Sequence, residues 1–260
     1  IQLQKELYEK YWYPMEQSYG NEYATYFNWF IRDYLSVKTG TIPVIGKVYE
    51  DFKNYVQNNK SLGTITEIVE DIYKYSGFYV NMVLRKETHP ELRSLFSNIL
   101  KLKIDTSYPF LLPVYNDYAQ EVITAEEFKE VVKLVENYVF RRAICGIPTN
   151  SLNKTFATLY KSINPSSYVE SIQVAFQLMG NYKRFPDDAE FEREIVLKDV
   201  YNFRLRNYLL HNIENYKRKE IVNTENYTIE HIMPQNPKLS PQWQEMLGAN
   251  WQEVQKTYLH

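Results

Sequence analysis

Cysteine is nearly absent: the 260 residues hold one, Cys145. No disulfide can close within the chain, which fits a reducing cytoplasm. One cysteine and four scattered histidines also argue against a zinc cluster. Glycine is scarce, at eight residues, so few turns can take positive φ. That scarcity favours helices over a β-sandwich. Long apolar runs are missing. The longest, Tyr108-Pro-Phe-Leu-Leu-Pro-Val-Tyr115, is broken by two prolines and is too short to span a bilayer. No signal-peptide pattern opens the chain. Charge of one sign is missing as well: 30 basic and 32 acidic residues leave a net charge of −2. There is no global attraction for nucleic acid, although a local basic patch stays open. A Gly-rich phosphate loop of the Walker type is absent, so nucleotide hydrolysis within these residues is not expected. Ile1 lies inside an amphipathic run, and both ends read as cuts in a longer protein.

What is present is mainly helical pattern. Helices are expected over Ile1 to Met15, Glu22 to Val37 and Pro43 to Gln57. Thr64 with Glu67 and Thr124 with Glu127 have capping-box spacing, opening helices to about Arg85 and Ile144. Pro90 suits the first residue of a helix to about Leu102. Pro109 and Pro113 disturb a short apolar helix, and Gly146 with Pro148 ends the helix before them. Ser151 to Ser162 and Ser167 to Met179 are shorter helices, and Phe185 to Asp188 turns into another. Asp199 to Lys219 reads as the last long helix, its basic end Lys217-Arg-Lys219 matching the dipole. Beyond Glu220 the character changes. Ile221-Val222 and Tyr227-Thr-Ile229 are β-prone, and Pro234, Pro237 and Pro241 mark irregular backbone. Short helices are expected from Pro241 to Leu247 and near Asn250. The fold class is mainly α: a bundle-like multi-helix domain over 1–222, with a subdivision considered near 105, then a different segment over 223–260.

Chemistry concentrates in Tyr227-Thr-Ile-Glu-His-Ile-Met-Pro-Gln-Asn236. An acid and a histidine stand side by side after a β-prone tripeptide, and a proline soon follows. The carboxylate of Glu230 can hold a hard divalent cation, and the imidazole of His231 can take a proton from water. Neighbours on an ideal strand point to opposite faces, so both can serve one phosphate only where the backbone bends. Pro234 is compatible with such a bend.

The segment Ile229 to Asn236 resembles the signature of the C-terminal HNH domain in GmrSD-type restriction proteins, which are modification-dependent (type IV) DNA endonucleases of bacterial anti-phage defence. Trp243 and Leu247-Gly248 sit where that family has a tryptophan and a Leu-Gly pair. Tyr108-Pro-Phe-Leu-Leu112, Phe140-Arg-Arg-Ala-Ile-Cys-Gly146, Pro148-Thr-Asn-Ser-Leu-Asn-Lys154 and Phe185-Pro-Asp187 with Phe191 are similar to the helical region before it. The resemblance covers Tyr108 to His260 well and the first hundred residues weakly. It implies a three-part parent: a ParB-like nucleotide-binding domain, which this chain lacks, a helical connector, and a ββα-metal HNH nuclease. It implies DNA as substrate, Mg or Mn as cofactor, Glu230 as metal ligand and His231 as general base. The family's following Gly-Asn-Leu segment and a further Asn and Lys lie past His260. This chain alone is therefore expected to bind no metal and to be inactive or nearly so.

Other candidates weigh less. Arg141 and Arg142 suit phosphate contacts, although a helix-end or interdomain role is preferred. Cys145 reads as a small packing residue, His89 as a helix-start residue, and His211 as packed or interfacial. The Tyr11-Trp12-Tyr13 cluster and the 24 tyrosines read as core and interdomain packing over base stacking. No membrane partner is expected, and self-association through exposed apolar surface stays open. The alternative function is a helical interaction module that couples a nucleotide-binding domain to the nuclease and is not itself an enzyme.

Overall fold

A computed structural model of the chain describes residues 2–58, 63–224, 226–230 and 232–258. It is mainly helical and divides into two compact units, Ile1–Asp187 and Asp188–His260. The boundary expected near 222 lies inside the second unit, and the position near 105 lies inside the first. No described helix is long and apolar enough to cross a membrane.

The first unit holds α1 (Gln2–Leu7), α2 (Tyr13–Tyr19), α3 (Tyr23–Thr39), α4 (Val48–Asn58), α5 (Ile65–Val83), α6 (Pro90–Lys101), α7 (Tyr108–Ala119), α8 (Ala125–Ile144), α9 (Leu152–Leu159) and α10 (Tyr168–Gln177). A π-helical turn, Tyr8–Trp12, joins α1 to α2, so the first helical run continues past the expected Met15. Both capping boxes form. The side chains of Thr64 and Thr124 accept from the amides of Glu67 and Glu127, whose carboxylates accept in return. Those backbone bonds hold both glutamates below the usual carboxylate range. Gly40 ends α3 in the left-handed region at φ 71°.

Helix α7 packs against α3, α5, α8 and α9. Its sequence is apolar on nearly every side, the pattern of a helix buried all round. Phe110, Leu111, Leu112 and Val114 are fully buried. The helix runs unbroken through Pro113, whereas a disturbance was expected there. Proline removes one backbone donor, and burial on every side outweighs that loss.

Several tyrosines pack in this core and turn their hydroxyls to fixed acceptors. Tyr160 and Tyr168 both donate to Asp117 Oδ2, at 2.8 and 2.6 Å. Tyr115 donates to the buried Glu87, and Tyr34 to Asp71 Oδ2 at 2.7 Å. Tyr11 and Trp12 are likewise tied down, by Glu70 and by the ring of Phe27, while Tyr13 is exposed.

The second unit holds α11 (Asp188–Val196), α12 (Arg206–Asn215), α13 (Pro241–Leu247) and α14 (Trp251–Tyr258). Here the expected long helix from Asp199 to Lys219 is corrected. Asp199 accepts from the amide and the side chain of Asn202, at 3.0 and 2.7 Å, closing a local turn instead of opening a helix. At the other end Tyr216 turns extended and Lys217 takes φ 56°. Lys217-Arg-Lys219 therefore follows the helix, with Arg218 paired to Glu214 at 2.6 Å. The β-prone segments at 221–222 and 227–229 also differ from expectation: no strand occurs among the described residues. A strand is stable only as one member of a ladder, and neither short segment finds a strand partner among the described residues.

The Asp71 carboxyl gives a pH test. Burial pushes its pKa up, but Lys38 at 2.7 Å and the Tyr34 hydroxyl outweigh that, and the net shift is downward. A lowered folded pKa gives stability that is complete above the unfolded value and lost as pH falls through the folded one. Urea midpoints of the wild type should thus fall across roughly pH 5 to 2, and Asp71→Asn should remove part of that fall. Parallel profiles for the two proteins would refute the assignment.

Candidate functional site

Glu230 lies in a stretch without regular structure, 227–230, and its side chain is exposed. His231 lies outside the described residues. Ile232 is 95% exposed, so the tripeptide around the acid-histidine pair is not anchored by burial of that side chain. Side-chain amides within the second unit instead bind backbone upstream and downstream of it, at Val222, Pro234 and Asn236.

Upstream, α12 supplies the anchor. Asn215 accepts from the amide of Val222 at 2.7 Å and donates to its carbonyl at 3.1 Å. The carboxamide thus pairs with Val222 as a neighbouring strand would. On the same helix face, His211 Nδ1 lies 2.9 Å from Thr224 Oγ1 and 3.3 Å from Asn215 Nδ2. His211 is therefore packed into the wall of this segment.

Downstream, α14 supplies the anchor. Gln255 is 6% exposed, and its Nε2 donates to the carbonyls of Pro234 and Asn236, each at 2.9 Å. Leu239 is buried next in sequence, and Ser240 caps α13 by accepting from the Trp243 amide. Pro241 in the first turn of α13 fits its missing donor. Val222 and Thr224 on one side and Pro234 and Asn236 on the other are thus fixed points around Glu230. Sequence reasoning missed Asn215 and Gln255. Both are amides in helical patterns, and nothing local distinguishes them from solvated residues.

Among the described residues no group of three histidine, cysteine, aspartate or glutamate side chains could hold a metal. Glu230 offers the oxygen donor a hard cation takes, but one carboxylate falls short of the coordination such a cation needs.

Arg141 and Arg142 belong to the first unit. Arg142 is 2% exposed. Its Nη1 donates to Tyr182 O at 2.8 Å, and its Nη2 to Pro148 O at 2.7 Å and Ser151 Oγ at 3.1 Å. The guanidinium lies 5.1 Å from the Tyr138 ring centroid. Burial pushes its pKa down, against the opposing pull of Tyr138. Arg141 donates to Asn137 Oδ1 at 2.9 Å and to Pro186 O at 3.2 Å. Cys145 is half-buried just after α8. His89 is the N-cap of α6, but its side chain makes no capping bond.

Residues 185–260 match the family described as GmrSD restriction endonucleases, C-terminal domain, so this part is a GmrSD-type C-terminal region. The match begins close to the start of the second unit, and the helical stretch 108–184 lies outside it. No curated protein and no solved structure matches the chain.

Two substitutions test these arrangements. Gln255→Ala should cost about 1–2 kcal/mol, the loss of two buried bonds. It should also speed amide exchange around 234–236 more than in α12, and uniform exchange would refute the anchor. Arg142→Lys should cost about 2–4 kcal/mol in urea unfolding, because one ammonium cannot reproduce a fork that reaches three acceptors. A cost near zero would remove Arg142 as the link between those segments.

Proposed function

We propose that the second unit carries the opening half of an HNH-type (ββα-metal) nuclease site, over 223–260, and that 1–222 serve as its helical connector. On this reading the full-length protein hydrolyses phosphodiester bonds of modified DNA in bacterial anti-phage defence, in the cytoplasm. The observation that carries it is the match of residues 185–260 to the GmrSD C-terminal domain, with an exposed Glu230 inside the matched region.

His231 is the general base: a neutral imidazole near pH 7 takes a proton from the attacking water. Glu230 is a ligand for Mg or Mn, which would polarise the phosphate when bound. The remaining ligands are assigned to the full-length protein. The 260-residue chain by itself is then expected not to cleave DNA. The anchors at Asn215 and Gln255 support the reading, because they hold the flanks of the pair while leaving Glu230 open to solvent. Arg141 and Arg142 take structural roles here, given the carbonyls they already engage.

A second reading rests on the first unit. Almost all of Ile1–Asp187 lies outside the matched residues. It suits a module that relays the nucleotide state of a ParB-like domain to the nuclease and is not itself catalytic.

The test is cleavage of plasmid and modified phage DNA by the full-length protein with nucleotide and Mg²⁺ or Mn²⁺. His231→Ala should lower the rate by about 10²-fold or more, the usual worth of a general base. Glu230→Gln should raise the metal concentration needed. Equal cleavage by wild type and His231→Ala would remove the histidine from the mechanism. Cleavage by the 260-residue chain that vanishes in His231→Ala would overturn its expected inactivity.

A further inference from the structure

In the first unit, the 3₁₀ turn Thr149–Ser151 leads into α9, and a second 3₁₀ turn, Asn181–Lys183, faces it. Between them is a pocket of about 330 Å³ lined by Pro148, Asn150, Ser151, Lys154, Tyr182 and Lys183. We infer that this pocket binds the phosphate of a nucleotide, with Lys154 and Lys183 as its ligands and Arg142 as the buried charge that sets its walls.

The argument is electrostatic first. The lining contains two lysines and no acid. Neither ammonium has an ion pair or hydrogen bond among the described residues. Behind them, Arg142 bonds to Pro148, Ser151 and Tyr182, which are all lining residues. Among the described residues its hydrogen-bond partners are two carbonyls and a hydroxyl, with no carboxylate, and its Nε makes no hydrogen bond. Arginine keeps its proton, so a full positive charge is buried here without a counter-ion among the described residues. Buried charge is normally paired, because leaving water costs several kcal/mol per ion. An anion in the pocket would supply the missing charge.

The backbone agrees. Ser151 is the N-cap of α9 but makes no capping bond, since its hydroxyl accepts from Arg142. The Leu152 amide donates to Thr149 O, and no side chain caps the first turn of α9, whose positive dipole end favours an anion. Ammonium groups bind phosphate as point charges and need no fixed fork. Tyr182 stands at the rim, 63% exposed, positioned for an adjoining base to stack on its ring. That ring separates a nucleotide phosphate from inorganic phosphate alone. The nucleotide can come from a DNA strand or be free, and the shared chemistry is the phosphate ester. This inference concerns the first unit and does not depend on His231.

The experiment uses the 260-residue chain and three probes at low salt: a labelled single-stranded oligonucleotide, a nucleoside triphosphate and inorganic phosphate. Binding is followed by anisotropy and by the ligand-induced shift in melting temperature. Wild type should bind one or both nucleotide probes. Lys154→Ala/Lys183→Ala should weaken that binding about tenfold or more and lower the salt slope for the oligonucleotide by about 2. Tyr182→Ala should weaken the nucleotide probes and leave inorganic phosphate unchanged. Lys53→Ala, an exposed lysine on α4, should change nothing. Loss confined to the triphosphate, or to the oligonucleotide, identifies the source of the phosphate. No binding of any probe by wild type overturns the inference, as does equal binding by the double variant or an equal loss in Lys53→Ala.

Discussion

Helix α7 is the constraint to which the first unit is built. A helix that is apolar on almost every side has no face for water and is stable only when fully enclosed. Four helices supply that enclosure, and each must turn an apolar stripe inward. Helix α8 does so with Phe128, Val131, Val132, Val135 and Tyr138, all with no exposed surface. Helix α9 contributes Phe156, whose ring stacks on Phe110. Pro113 sits in the middle because the position has been taken over by packing: the lost backbone bond is small beside the area removed from water.

Apolar enclosure alone fixes burial but not register, since hydrophobic contact has no direction. Tyrosine supplies the direction. A buried ring adds area to the core while its hydroxyl favours an acceptor, and a misplaced helix would break the hydroxyl bonds of Tyr34, Tyr115, Tyr160 and Tyr168. Asp117 on α7 receives hydroxyls from Tyr160 and from Tyr168 on α10, so one carboxylate ties the end of α9 and the start of α10 to the central helix. Tyr138 on α8 donates to Lys183 O at 2.8 Å and ties down the second wall of the phosphate pocket in the same way. Arg142 departs from this pattern. Its neighbours accept its hydrogen bonds but do not cancel its charge, so this buried end of α8 is electrostatically incomplete.

What the sequence made legible follows the range of the interactions. Capping at Thr64 and Thr124 and the proline starts at Pro90 and Pro241 are decided within four residues and could be read directly. Helical period misled at Asp199 to Lys219, because Asp199 and Asn215 bond to backbone that periodicity does not weigh. β-propensity misled at 221–222 and 227–229, because a strand depends on a partner elsewhere in the chain. The Glu230-His231 pair stood out by its chemistry, whereas the residues holding its flanks did not. Gln255 binds carbonyls nineteen and twenty-one residues earlier. Arg142 was legible as a cation but not as a buried one, since helix ends favour exposed arginines of the same appearance.

The two units solve the problem of order by different means. In the second, burial is thin: Leu205, Tyr208, Leu209 and Leu239 are the buried apolar residues among those described. A unit so small cannot hold an extended segment by hydrophobic area. Amide side chains take over, each contributing about 1 kcal/mol per bond net of solvent exchange. Such bonds have a property that apolar contacts lack. They fix the backbone at Val222, Pro234 and Asn236, while Glu230 between them faces water. The metal-ligand role proposed for Glu230 would need that combination, because a ligand buried to gain order would be closed to its substrate. The sparse core is therefore consistent with a site that must remain open, and polar anchoring is the means of ordering it that leaves it open.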